Sequence, residues 1–156
     1  VENEITELEA GSFDDQVELV YLNYNKNKIM ALPENLFRNL RKLEGLHLNE
    51  NYLSALPENI FANLVELMQI HLGGNELSLL TKQHFRNIKK LIYIGLGNNK
   101  INSLDVKMFD DLPNLRFVDL GENECIDKVY GSSDIINAFL PHINQFKSVV
   151  AANCTN

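Results

Sequence analysis

The sequence predicts a repeat solenoid with one short strand per turn, and three observations carry that prediction. Asparagines recur at Asn3, Asn27, Asn51, Asn75, Asn99 and Asn123, each 24 residues after the last. Apolar residues hold fixed offsets around them: Leu43-x-x-Leu46-x-Leu48-x-x-Asn51-x-Leu53, then Leu67-x-x-Ile70-x-Leu72-x-x-Asn75-x-Leu77, then Leu91-x-x-Ile94-x-Leu96-x-x-Asn99-x-Ile101. Within each unit an alternation such as Leu46-His47-Leu48 marks a half-buried strand, with His47 turned away from the leucines. A period in the range of about 20 to 50 residues is what stacked supersecondary units produce.

The rest of each unit repeats too. Leu32, Leu56, Leu80 and Leu104 are followed five residues on by Phe37, Phe61, Phe85 and Phe109, and then by Leu40, Leu64, Ile88 and Leu112. The asparagines end the strands, where a buried amide without partners would be costly. An amide both donates and accepts, so one per rung (Asn27, Asn51, Asn75, Asn99, Asn123) is expected to satisfy backbone groups in the bend of its neighbour.

The pattern L-x-x-L-x-L-x-x-N-x-L-x-x-L-P-x-x-x-F-x-x-L resembles the extracellular type of the leucine-rich repeat family, over residues 1 to about 125. Units starting at Leu19, Leu43, Leu67 and Leu91 are complete, flanked by a back half from Asn3 to Glu18 and a front half from Leu115 to Asn123. The resemblance implies an α/β horseshoe: parallel strands lining a concave sheet and a convex return path of turns or short helix. Pro33 and Pro57 keep the family proline whereas Thr81 and Asp105 replace it, and Gln16, with Val17 beside it, stands where a leucine is usual. The solenoid is expected to occupy 1–124 and a capping segment 125–156, in one continuous domain.

A terminal rung needs cover, and the C-terminal segment is suited to supply it. Cys125 takes the place of Leu53 and Leu77 in the frame, and Cys154 follows 29 residues later. A disulfide between them would stabilise by about 3 to 4 kcal/mol in the chain-entropy model and would place the protein in an oxidising, extracellular compartment; two reduced thiols are the alternative. From Ser133 or Asp134, residues Ile136, Phe139, Leu140 and Ile143 follow the spacing of one apolar helix face, which Pro141 should kink. The segment from Asn123 through the final Asn153-Cys154-Thr155, itself a glycosylation sequon, is similar to the caps of secreted leucine-rich repeat immune proteins of dipteran insects. The N-terminus carries no cysteine cap, starts inside a repeat, and is expected to be a fragment, a processed chain or a rung covered by another subunit.

Composition narrows the partners. Lys plus Arg number 14 against 21 Asp plus Glu, a net charge of -7 that argues against nucleic acid and anionic lipid. No apolar run approaches the roughly 18 residues of a membrane span. Val1-Glu2-Asn3-Glu4 lacks the start of a signal peptide, so the chain is expected to be secreted with any leader already removed. No motif of hydrolase, zinc or phosphate chemistry occurs; the glycines of "GLGNN" at 95–99 fall inside the repeat frame. No enzymatic activity and no cofactor are expected.

Function therefore falls to the strand face that points away from the core. One column reads Tyr21, Gly45, Gln69, Tyr93, Phe117, and the next reads Asn23, His47, His71, Gly95, Asp119, with Val20, Glu44, Met68, Ile92 and Arg116 flanking. His47 and His71 tempt a metal assignment, but a third ligand is missing, since Asp119 stands two rungs, or roughly 10 Å, beyond His71; a ligand contact of pH-sensitive character, or two solvated surface histidines, fits better. Met68, Ile92, Tyr93 and Phe117 form an apolar cluster beside glycines, a composition favoured at interaction sites, although aromatic pairing that stiffens the sheet would use the same residues. The expected function is recognition of a protein, or alternatively a glycan, through Tyr93, Phe117, Ile92, Met68, His47, His71, Tyr21, Gln69, Asp119 and Arg116, in innate immunity by resemblance. A second class is an assembly protein that forms homo- or hetero-oligomers through its N-terminal edge near Ile5 and Leu8.

Overall fold

The computed structural model describes residues 3–125 and 129–130. Strands β1 (Tyr21–Asn23), β2 (Gly45–His47), β3 (Gln69–His71), β4 (Leu79–Leu80), β5 (Tyr93–Gly95), β6 (Ser103–Leu104), β7 (Phe117–Asp119) and β8 (Val129–Tyr130) follow in chain order. The main sheet runs β1-β2-β3-β5-β7-β8. Its first five strands are parallel and in strict repeat register, Leu22 beside Leu46, Ile70, Ile94 and Val118. The result is a parallel-strand solenoid of about four turns.

The inward residues of every rung meet in one core. Leu43, Leu46, Leu48 and Leu53 are fully buried, as are their counterparts Leu67, Ile70, Leu72 and Leu77, and each such side chain contributes about 1.5 to 3 kcal/mol by leaving water. A buried column of Phe13, Phe37, Phe61, Phe85 and Phe109 fills the opposite side.

The asparagine ladder closes the strand ends. Asn75 donates to the carbonyls of Leu48 (2.9 Å) and Leu72 (3.0 Å) and accepts from the Leu53 N–H (3.1 Å), so one amide ties its own bend to the preceding rung. Asn51, Asn99 and Asn123 repeat these bonds, and Asn27 accepts from Ile5 while donating to Tyr24. The residue just before each asparagine, Lys26, Glu50, Gly74, Asn98 and Glu122, has φ between 53° and 65°, a left-handed turn that aims the amide back across the sheet.

The return path corrects the α/β expectation: among the described residues it holds turns and two 3-10 helices, Lys82–Phe85 and Val106–Phe109, and no α-helix. A 3-10 helix rises about 2.0 Å per residue against 1.5 Å in an α-helix, so it spans the convex side with fewer residues. Both helices begin where the family proline is replaced. Asp105 caps the second through a 3.0 Å bond from the Lys107 N–H, and its own N–H, which proline would lack, donates to the Leu80 carbonyl at 3.3 Å. The small parallel sheet β4-β6 lies between these two proline-free repeats.

Of the capping segment 125–156 the structure describes Cys125 and β8. Cys125 packs half-buried against the core, and β8 pairs antiparallel with β7, Val118 beside Tyr130. A short antiparallel strand thus adjoins the last rung; the helix expected at 133–143, Cys154 and the Asn153 sequon lie outside the described residues.

Candidate ligand-binding site

Three-residue strands turn their middle residue inward and leave the first and third on the other face. Tyr21, Gly45, Gln69, Tyr93 and Phe117 are register partners in one column, and Asn23, His47, His71, Gly95 and Asp119 in the next. Four of these rings form one continuous stack. His47 and His71 lie 4.3 Å apart at 14°, His71 and Tyr93 4.5 Å apart at 26°, and Tyr93 and Phe117 5.1 Å apart at 11°. The histidine pair and the aromatic pair, separate in the sequence columns, are therefore a single object.

Gly95 makes the diagonal step possible. The Tyr93 ring lies over it, and a Cβ there would stand 2.9 Å from Tyr93 Cε1. Tyr21 covers Gly45 in the same way, at 2.5 Å from a Cβ, but remains outside the stack and 59% exposed.

Stacking changes the chemistry of the rings. Burial, and then the neighbouring His47, push the His71 pKa below the ordinary imidazole range, and its Nε2 is buried without a hydrogen-bond partner among the described residues. Burial, and then the Asp119 charge, raise the Tyr93 phenol. Among the described residues no group of three or more His, Cys, Asp or Glu could hold a metal ion.

Beside the stack opens a groove of about 560 Å³, floored by Gly73, Gly95, Gly97 and Gly121 and walled by His71, Tyr93, Asn49, Asn98, Asp119 and Glu122. A second hydrogen-bond ladder runs along its floor. Asn25 Oδ1 accepts from the Asn49 N–H (2.7 Å) and Asn49 Oδ1 from the Gly73 N–H (2.8 Å), each one rung on, while Asp119 Oδ1 accepts from the Gly121 N–H (2.9 Å) within its own rung. Because Gly73 has no side chain, the inter-rung ladder ends there, and no acceptor among the described residues meets the Gly97 N–H. Asp119 leans over Gly97, where a Cβ would meet both carboxylate oxygens at 3.1 Å.

The remaining expected contacts lie apart from the stack. Met68, Ile92 and Arg116 form a column immediately before the strands, linked by the Ile92 N–H to Met68 and the Arg116 N–H to Ile92 carbonyls. Ile92 is 37% exposed whereas Tyr93 and Phe117 are half-buried by their neighbours. Gln69 is exposed between Gly45 and Tyr93. Asn49, Gly97 and Asn98 were not singled out from sequence as contacts; the glycines at 73, 95, 97 and 121 were the available signal, since they remove bulk along one line.

His84 also went unread and has a structural part. Its Nδ1 accepts from the Thr81 N–H at 3.0 Å, which leaves Nε2–H to donate to the Leu56 carbonyl at 3.1 Å. Burial is the main cause of its lowered pKa. The folded state thus binds fewer protons than the unfolded chain, so the stability from His84 is present above the unfolded value and lost as pH falls through the folded one. Thermal melts from about pH 7.5 to 5, spanning the imidazole range, should show a falling Tm, and H84Q a shallower fall.

Among the described residues no helix is long and apolar enough to cross a membrane. A search of curated protein sequences gives no match. Among solved structures, the chain is similar to the leucine-rich repeat domain of APL1B, with 28% identity and a TM-score of 0.72 over 77% of this chain and 36% of that one. The LRIM1/APL1C complex matches at 27% identity and TM-score 0.73, over 78% and 23%. The Toll–Spatzle complex, a molecular hub in Drosophila development and innate immunity, matches at 25% and 0.76, over 78% and 16%. The chain thus spans about a third or less of the length of these proteins. The model of the leucine-rich repeat matches residues 17–77 and 66–124, and with the ladder, the register and the core already in place, the chain belongs to the leucine-rich repeat family.

Proposed function

We propose that this chain is an extracellular, non-enzymatic recognition module that binds a protein through the outward face of its main sheet, in innate immunity. The observation that carries the reading is the four-ring stack beside a glycine-floored groove. Rings held by their neighbours give up little conformational freedom on binding, which is how aromatic anchors contribute most. Similar structures titled as complexes, LRIM1/APL1C and Toll–Spatzle, support a protein ligand. A Cys125–Cys154 disulfide, consistent with Cys125 not standing as a free thiol and with a total of two cysteines, supports the oxidising compartment.

Immobilised wild-type chain should retain a protein from insect haemolymph, and Tyr93→Ala with Phe117→Ala should lose it while keeping the circular dichroism of the parent. Retention undiminished in the double variant would exclude the stack as the site.

A further inference from the structure

The groove beside the stack has a chemistry more specific than protein binding in general. We infer that it takes a peptide segment carrying a basic side chain, the cation against Asp119 and a main-chain carbonyl on the Gly97 N–H. The inference rests on the recognition reading above and names the chemistry of its partner.

Four features converge on it. The Asp119 carboxylate uses Oδ1 to accept from Gly121, which fixes its orientation above Gly97 and leaves Oδ2 without a hydrogen-bond partner among the described residues. No lysine or arginine lines the groove, and the chain carries a net charge of -7, so a cation enters a favourable field. The Gly97 N–H lacks an acceptor among the described residues where the inter-rung ladder ends. His71 adds a buried Nε2 with no partner among the described residues on the groove wall. One ligand that offers a charged donor and a carbonyl acceptor answers both the carboxylate and the amide.

A glycan fits these features less well. Sugars engage aromatic residues through ring faces, and in this stack the faces of His71 and Tyr93 are each covered by the next ring. What the groove receives is ring edges and polar atoms.

The test uses three soluble probes at millimolar concentration against the 15N-labelled chain: acetyl-Gly-Arg-Gly-amide, the same peptide with citrulline, and chitotriose. Citrulline keeps the shape of arginine and removes its charge. The expected result is that the arginine peptide moves the Gly95, Gly97 and Gly121 amide resonances, that citrulline binds about fivefold more weakly, and that D119N, which retains Oδ1 for Gly121, erases the difference. Equal binding of citrulline, movement of these amides by chitotriose alone, or no movement with any probe overturns the inference. Haemolymph capture reads out independently: a partner lost from the Tyr93/Phe117 variant but held by D119N leaves protein recognition standing and removes the basic-peptide chemistry.

Discussion

Asn75→Ala is expected to destabilise the chain by about 2 to 4 kcal/mol. The side chain bonds the Leu53 N–H and the Leu48 and Leu72 carbonyls, and all three groups are buried within the rungs. Alanine leaves the Leu53 N–H unpaired where water cannot reach, at about 1 to 3 kcal/mol for a buried unsatisfied group, and takes one of two donors from each carbonyl, Leu48 keeping Asn51 and Leu72 keeping Asn99, at about 0.5 to 1 kcal/mol apiece. Ordinary domains hold only about 5 to 15 kcal/mol in total, so the loss should be plain as a lower urea midpoint. His47→Ala, removing a half-buried ring from one end of the stack, should cost about 1 kcal/mol. Equal losses at the two positions would contradict the division between frame and face.

The second large effect separates two phenylalanines. Phe61 is fully buried and packs its ring 6.3 Å from that of Phe85; its replacement by alanine opens a core cavity and should cost about 3 to 5 kcal/mol. Phe117, half-buried at the far end of the stack, should cost under about 2 kcal/mol, the worth of a partly exposed aromatic pair. Urea unfolding of both single variants gives the comparison. The same substitution should then damage folding in one place and, under the proposed function, binding in the other.

The frame was legible because it is periodic. Asn27 through Asn123, the Leu46-type inward positions and the Phe37-type column each recur at one spacing, and a spacing shared by several residue types has one structural solution. The strand register followed at once, which set His47 beside His71 and Tyr93 beside Phe117. Departures from the period were visible but their effects were not. Thr81 and Asp105 stand out as missing prolines, yet the β4-β6 pairing they permit depends on an N–H meeting a carbonyl one rung away. The antiparallel β8 was unreadable for a related reason: it lies beyond the last repeat, where no spacing constrains it.

The site was legible as columns and not as an object. A column lists neighbours directly across strands, whereas His71 reaches Tyr93 diagonally, over the space that Gly95 leaves. Side-chain direction decided that contact, and sequence spacing does not encode it. The groove escaped for the same reason, because the Gly97 N–H becomes available only when Gly73 fails to supply the acceptor that Asn49 supplies one rung earlier. His84 was passed over because its two partners, Thr81 and the Leu56 carbonyl, belong to different repeats.

Hydrogen exchange of the chain with and without the protein retained from haemolymph tests most directly whether recognition occurs on the stacked face. The expected result is slowed exchange at Gly97 and in the bends at 49–51, 73–75 and 121–123, with the convex turns at 57–63 and 81–87 unchanged. Slowing confined to those convex turns, with Gly97 exchanging as freely as in the unbound chain, would contradict it.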